Sequence, residues 1–175
     1  NAAPADALEM TILFSRGLIR RPCLILKNEQ GEYDSVAIYK SKKATEPIVV
    51  IHKDKMAIEV IDEAIESEKH FKTNRNMKIL SIEPDGSMVS MWISAGMDME
   101  NDSVYSPKRL FKEITENVGY PMPTSMVGHQ DKTLITDCML ANWYATADWQ
   151  AAAIHHLIES EGIEVIWSHM HSIDL

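Results

Sequence analysis

The sequence predicts an α+β protein: a largely antiparallel meander of about six or seven strands, then two or three helices, then one final buried strand. Three observations lead there. Between Leu8 and Ser94, short apolar or alternating runs are separated by turn chemistry. From Ser106 onward, apolar residues recur at helical spacing. After Gly162 an apolar run, Ile163-Glu164-Val165-Ile166-Trp167, has the composition of a strand buried in a core.

The strand candidates are Leu8–Phe14, Pro22–Leu26, Val36–Tyr39, Ile48–Ile51, Met56–Ile61, Met77–Ile82 and Met88–Ile93. Asn28-Glu29-Gln30-Gly31, Lys53-Asp54 and Pro84-Asp85-Gly86 separate neighbouring runs, and Gly86 suits the positive φ of a tight hairpin. Links this short cannot hold crossover helices, so most pairs should be antiparallel. Asp62 to Phe71 is ambiguous: Ile61, Ala64, Ile65 and Glu68 fit a short helix, but the favoured expectation is a strand followed by a loop.

In the second half, Ser106-Pro107 is a helix start, a hydroxyl cap followed by a proline. Leu110, Phe111, Ile114 and Val118 form its apolar face, and Gly119 and Pro121 stop it. Pro121 to Gln130 is an irregular loop carrying His129. A long helix over Lys132 to Ser160 follows, with Ile135, Cys138, Met139, Ala145, Trp149, Ala152, Ala153, His156 and Leu157 expected on one face. Thr146 and Asp148 are its candidate break points. A helix feeding one strand is half of a βαβ unit, so the strand's parallel neighbours are expected outside this segment.

Composition narrows the class. At 175 residues with 45% hydrophobic side chains, residues 1–175 suit one globular domain with a real core, not a disordered tail or a disulfide miniprotein. No apolar run approaches the ~20 residues of a membrane helix. A formal charge of −9 with no basic stripe argues against a nucleic-acid polymer as partner. Cys23 and Cys138 sit in apolar surroundings and are expected as buried thiols. Asn1-Ala2 has the look of a cloning scar, which points to a piece of a longer protein.

Chemistry concentrates at Ser168-His169-Met170-His171-Ser172-Ile173-Asp174. Two histidines at i and i+2 point the same way along a strand, and imidazole suits zinc. A carboxylate three residues on, Asp174, can join them; the plain alternative is polar residues where a strand frays. Elsewhere the plain reading is preferred. His156 is a core histidine and His155 a solvated one, the four tryptophans are packing anchors, and Asp62, Glu63, Glu66 and Glu68 are a solvated acidic face without a calcium-loop pattern. Neither a Gly-x-Ser-x-Gly elbow nor a Gly-rich phosphate loop occurs.

A strand followed by His169-x-His171-x-x-Asp174 resembles the alkaline phosphatase superfamily, nearest its type I phosphodiesterase and nucleotide pyrophosphatase branch. Two upstream segments are similar in the same way. Met91-Trp92-Ile93-Ser94, with Tyr105 to Leu110 and Gly119-Tyr120-Pro121, resembles the strand, loop and proline-initiated helix of that family's insert. Ala147-Asp148-Trp149-Gln150 through Ile158 resembles the helix before the metal-ligand strand. The resemblance spans about Met77 to Asp174. It implies a divalent metal, zinc for preference, in the parent enzyme, with Asp174 as a ligand and His169, His171 and His129 as substrate contacts. It further implies a small phosphate ester or nucleotide as the parent's substrate. The family's nucleophile, a Thr or Ser beside a metal-binding Asp, has no counterpart: Thr11, Thr45 and Thr73 lack that neighbourhood, so no catalytic residue is expected in this span. The segment is then the insert or cap of a larger hydrolase, presenting Trp92, Tyr105, Tyr120, Trp143 and Tyr144 toward substrate. The alternative from another class is a self-contained, non-catalytic α+β domain that binds a ligand or protein.

Overall fold

In the computed structural model, residues 3–14, 17, 19–66, 68–123 and 134–169 are described. Four strands, β1 (Leu8–Phe14), β2 (Ile19–Lys27), β3 (Tyr33–Ile38) and β4 (Val49–His52), form an antiparallel meander in that order. A second antiparallel sheet holds β5 (Met56–Glu66), β6 (Lys69–Ile82) and β7 (Val89–Ile93) in order, with the short β8 (Met97–Asp98) also on β6. Thr73 pairs with Asp62 of β5 and with Asp98 of β8, so β8 lies on the β6 edge opposite β5. The α+β class and the antiparallel meander followed by helices are as expected.

The alternation along each strand builds the core. Ile12, Phe14, Ile19, Cys23, Ile25, Val36, Ile38 and Ile51 of the first sheet meet Val60, Met77, Ile79 and Ile82 of the second. Two sheets therefore pack face to face, each contributing its alternate side chains. On β6 the residues facing the first sheet are Arg75, Met77 and Ile79. Asn74, Asn76 and Lys78 face the other way, toward the helices. Gly86 closes the β6–β7 turn with φ +72°, and a Cβ there would lie 2.5 Å from a Leu8 methyl. The turn geometry and the close approach both select glycine.

The helical layer covers the second sheet's outer face. Helix α1 (Arg109–Asn117) and helix α2 (Leu140–Glu161), the latter led by one π-helical turn at Ile135–Met139, make it up. Asn76 Nδ2 donates to Asn142 Oδ1 at 2.5 Å, and Lys78 Nζ donates to the Asp137 carbonyl at 2.8 Å. That carbonyl lies within the π turn, where the ordinary helical bonding pattern is shifted. Trp149 Nε1 donates to the Gly119 carbonyl at 2.9 Å, tying α2 to the end of α1.

Four expectations are corrected. Asp62 to Phe71 is no strand-then-loop: β5 and β6 pair as a long hairpin through Glu63↔Lys72, Ala64↔Phe71 and Ile65↔His70, and Glu68 takes φ +65° beside the turn. Ser106-Pro107 does not open α1: its peptide bond is cis, and the helix begins two residues later with no side-chain cap at Lys108. Neither Thr146 nor Asp148 breaks α2; the Thr146 hydroxyl donates to the Asn142 carbonyl one turn back, which the helix absorbs. Ile163 to Trp167 is extended but is not a buried strand. No described residue offers it a ladder, and Val165 and Trp167 are 71% and 95% exposed.

Candidate functional site

The C-terminal stretch grows out of α2. Gly162 caps the helix in the left-handed conformation, φ +63°, and turns the chain back. Gln150 Nε2 then donates to the His169 carbonyl at 3.1 Å. The segment thus returns antiparallel along about three turns of α2. His169 is exposed at its end. His171, Asp174 and His129 lie outside the described residues. Of the expected site, then, one exposed imidazole is placed. One imidazole is too small a donor set for a divalent ion. Among the described residues no group of three or more His, Cys, Asp or Glu side chains is arranged to hold a metal.

The aromatic residues expected to face substrate divide. Trp92 is buried at 4% exposure and belongs to the packing under the helices. Tyr105, Phe111 and Tyr120 form an edge-to-face chain, with centroids 5.2 and 6.4 Å apart, that anchors α1. Burial pushes the Tyr105 phenol up. Tyr144 is 68% exposed on α2 and is free to meet another molecule. His156 is half-buried with Nε2 2.9 Å from Glu113 Oε1, a bridge from α2 to α1, while His155 is exposed beside Glu159. Trp167, exposed to solvent, is no packing anchor among the described residues.

A buried charge cluster escaped the sequence reading. Asp62, expected on a solvated acidic face, is 6% exposed between the sheets and receives Arg21 in a bidentate pair, Nη2 to Oδ1 at 2.9 Å and Nε to Oδ2 at 3.0 Å. Arg21 also donates from Nη1 to the Arg20 carbonyl and from Nη2 to the Glu63 carbonyl. Arg75 lies near the same carboxylate, with its guanidinium over the Phe14 ring at 4.8 Å and a short bond to the Thr73 hydroxyl. Gly96 lets it fit, since a Cβ there would lie 2.5 Å from Arg75 Nη2. Desolvation lowers the Arg75 pKa, opposed by Asp62 and assisted by Arg21. Arg21 and Asp62 are 41 residues apart, so only the sheet register brings them together. Each side chain of this cluster is committed to a protein partner, which marks it as a structural lock between the sheets.

A surface cavity of about 220 Å³ opens on the first sheet, lined in part by Met10, Pro22, Leu24, Tyr39, Ser41 and Lys42. No helical residue lines it, so it is separate from the His169 region. Cys23 and Cys138 are buried free thiols, as expected. Comparison with known proteins found no matching family model, no matching curated protein and no matching solved structure.

Proposed function

We propose that this chain is the insert or cap portion of a metal-dependent phosphoric-ester hydrolase of phosphodiesterase or nucleotide-pyrophosphatase type, acting on a small phosphate ester or nucleotide. The observation that carries the reading is the hand-off from α2 through Gly162 into an extended segment that runs to His169. In open α/β sheets, ligands bind beyond the carboxyl ends of strands, and here the sequence places His171 two residues and Asp174 five residues after His169. Asp174 would be one ligand of a divalent ion, with His169, His171 and His129 near the substrate. The ion, when bound, supplies Lewis-acid stabilisation of the phosphoryl oxygens. The chain's own part is to supply that carboxylate and to shape access with the exposed face of α2, where Tyr144 is the most open aromatic after Trp167. The nucleophile and the other ligands belong to polypeptide outside this segment.

The test uses the natural polypeptide that contains these residues. It should hydrolyse a chromogenic phosphodiester, lose that activity to a chelator and regain it with zinc. Asp174→Ala should lower turnover by orders of magnitude, while the 175-residue segment alone should show none. Full activity in Asp174→Ala, or turnover by the segment alone, contradicts the assignment.

A further inference from the structure

The cavity on the first sheet is the work of strand register and one proline. Glu9 pairs with Leu24 and Thr11 with Pro22, so Glu9, Pro22 and Leu24 lie on the sheet face opposite to the core residues Ile12, Cys23 and Ile25. The Pro22 carbonyl accepts from the Tyr39 amide at 2.9 Å, but a proline has no N–H with which to return the bond. The pairing of β3 with β2 therefore stops at Ile38, and the chain leaves the sheet until Val49 opens β4. Pro4 from the N-terminal segment, with Tyr39, Lys42 and Ala44 from the departing chain, wall the space beside Pro22 and Leu24.

Size and lining together select a ligand. About 220 Å³ is the volume of about seven water molecules at ~30 Å³ each, room for one small molecule and not for a folded partner. Pro22 and Leu24 make a half-buried apolar floor. Above it Lys42 Nζ donates to Glu9 Oε2 at 3.0 Å, with the two side chains 76% and 73% exposed. A pair that open contributes about 0–1 kcal/mol, so the fold does not depend on it. The ammonium has three N–H donors and the carboxylate several acceptor sites, and among the described residues each group uses only the other. A simple anion would be drawn to Lys42 and repelled by Glu9, and a simple cation the reverse. A zwitterion laid antiparallel to the pair satisfies both charges at once while its body covers the apolar floor.

We propose that this cavity binds a free α-amino acid with an apolar side chain. The α-carboxylate lies on Lys42, the α-ammonium on Glu9, and the side chain on Pro22 and Leu24. The site is on the first sheet and shares no lining residue with the helical half, so it does not depend on the hydrolase reading.

Titration of the 175-residue chain with L-leucine, followed by amide-resolved NMR, tests the proposal. The amides of Glu9, Leu24, Tyr39 and Lys42 should move along one saturable curve. N-acetyl-leucine, which lacks the ammonium, and leucinamide, which lacks the carboxylate, should each bind at least about tenfold more weakly. Glu9→Gln should abolish the preference for leucine over N-acetyl-leucine, and Lys42→Met the preference for leucine over leucinamide. Both variants should keep the fold, because the pair is exposed. No saturable movement of those amides up to the solubility of leucine overturns the proposal. So does equal binding of leucine, N-acetyl-leucine and leucinamide, because the cavity would then read only the apolar body.

Discussion

The two halves of this chain solve burial differently. The strand half, β1 to β8, closes on itself: its apolar alternation meets across two sheets, and its deepest charges are paired within the sandwich. The helical half is joined to it by packing over Trp92 and by polar contacts, Asn76 to Asn142 and Lys78 to the Asp137 carbonyl, and leaves Leu140, Tyr144 and Ile158 on α2 and Val165 and Trp167 beyond Gly162 exposed. The contrast separates two meanings of an apolar run. In the strand half such a run describes an interaction already made, and in the C-terminal segment it leaves Val165 and Trp167 exposed among the described residues.

The sharpest way to break this comparison is to remove the lock between the sheets. Asp62→Ala leaves Arg21 and Arg75 buried without their carboxylate and should cost about 3–5 kcal/mol of unfolding free energy, read from urea denaturation followed by far-UV circular dichroism. A loss below about 1 kcal/mol would mean the cluster is solvated and the sandwich less closed than described.

Truncating one apolar residue in each half measures the contrast directly. Ile38→Ala, at a site 1% exposed, should destabilise by about 2–5 kcal/mol. In the isolated segment, Ile158→Ala on the exposed side of α2 should stay within about 0.5 kcal/mol of wild type. Similar costs at both positions would show that the outer face of α2 is already covered.

A smaller effect follows from Cys23. Burial raises its thiol from an ordinary 9.0 to about 11, opposed by a backbone hydrogen bond involving Ile12. The folded chain holds that proton more tightly than the unfolded chain. Its contribution is therefore complete below pH 9.0 and is lost as pH rises through about 11. Melting temperatures taken from pH 8 to pH 11 should fall more steeply for wild type than for Cys23→Val, while equal slopes would place the thiol in contact with solvent.

The same contrast explains what was legible in the sequence. Period-two alternation and Pro84-Asp85-Gly86 located most strands and the β6–β7 turn because those signals are local. The Asp62–Phe71 hairpin was obscured because Asp62, Glu63 and Lys72 look solvated until register places Asp62 on Arg21. Ile163–Trp167 has the composition of a buried strand, but the structure gives it neither a paired strand nor burial among the described residues. Of the candidate site, the histidine and carboxylate spacing was visible in sequence, and the structure adds the exposed position of His169.

Amide hydrogen exchange on the 175-residue segment, resolved by peptide, tests the central contrast most directly. Amides of β2, β3 and β6 should exchange slowest, through global unfolding, while those of Glu164–Ser168 should exchange at the rate of an unstructured peptide. Protection of Glu164–Ser168 comparable to β6 in the monomeric segment would contradict the account, because those amides would then be hydrogen-bonded.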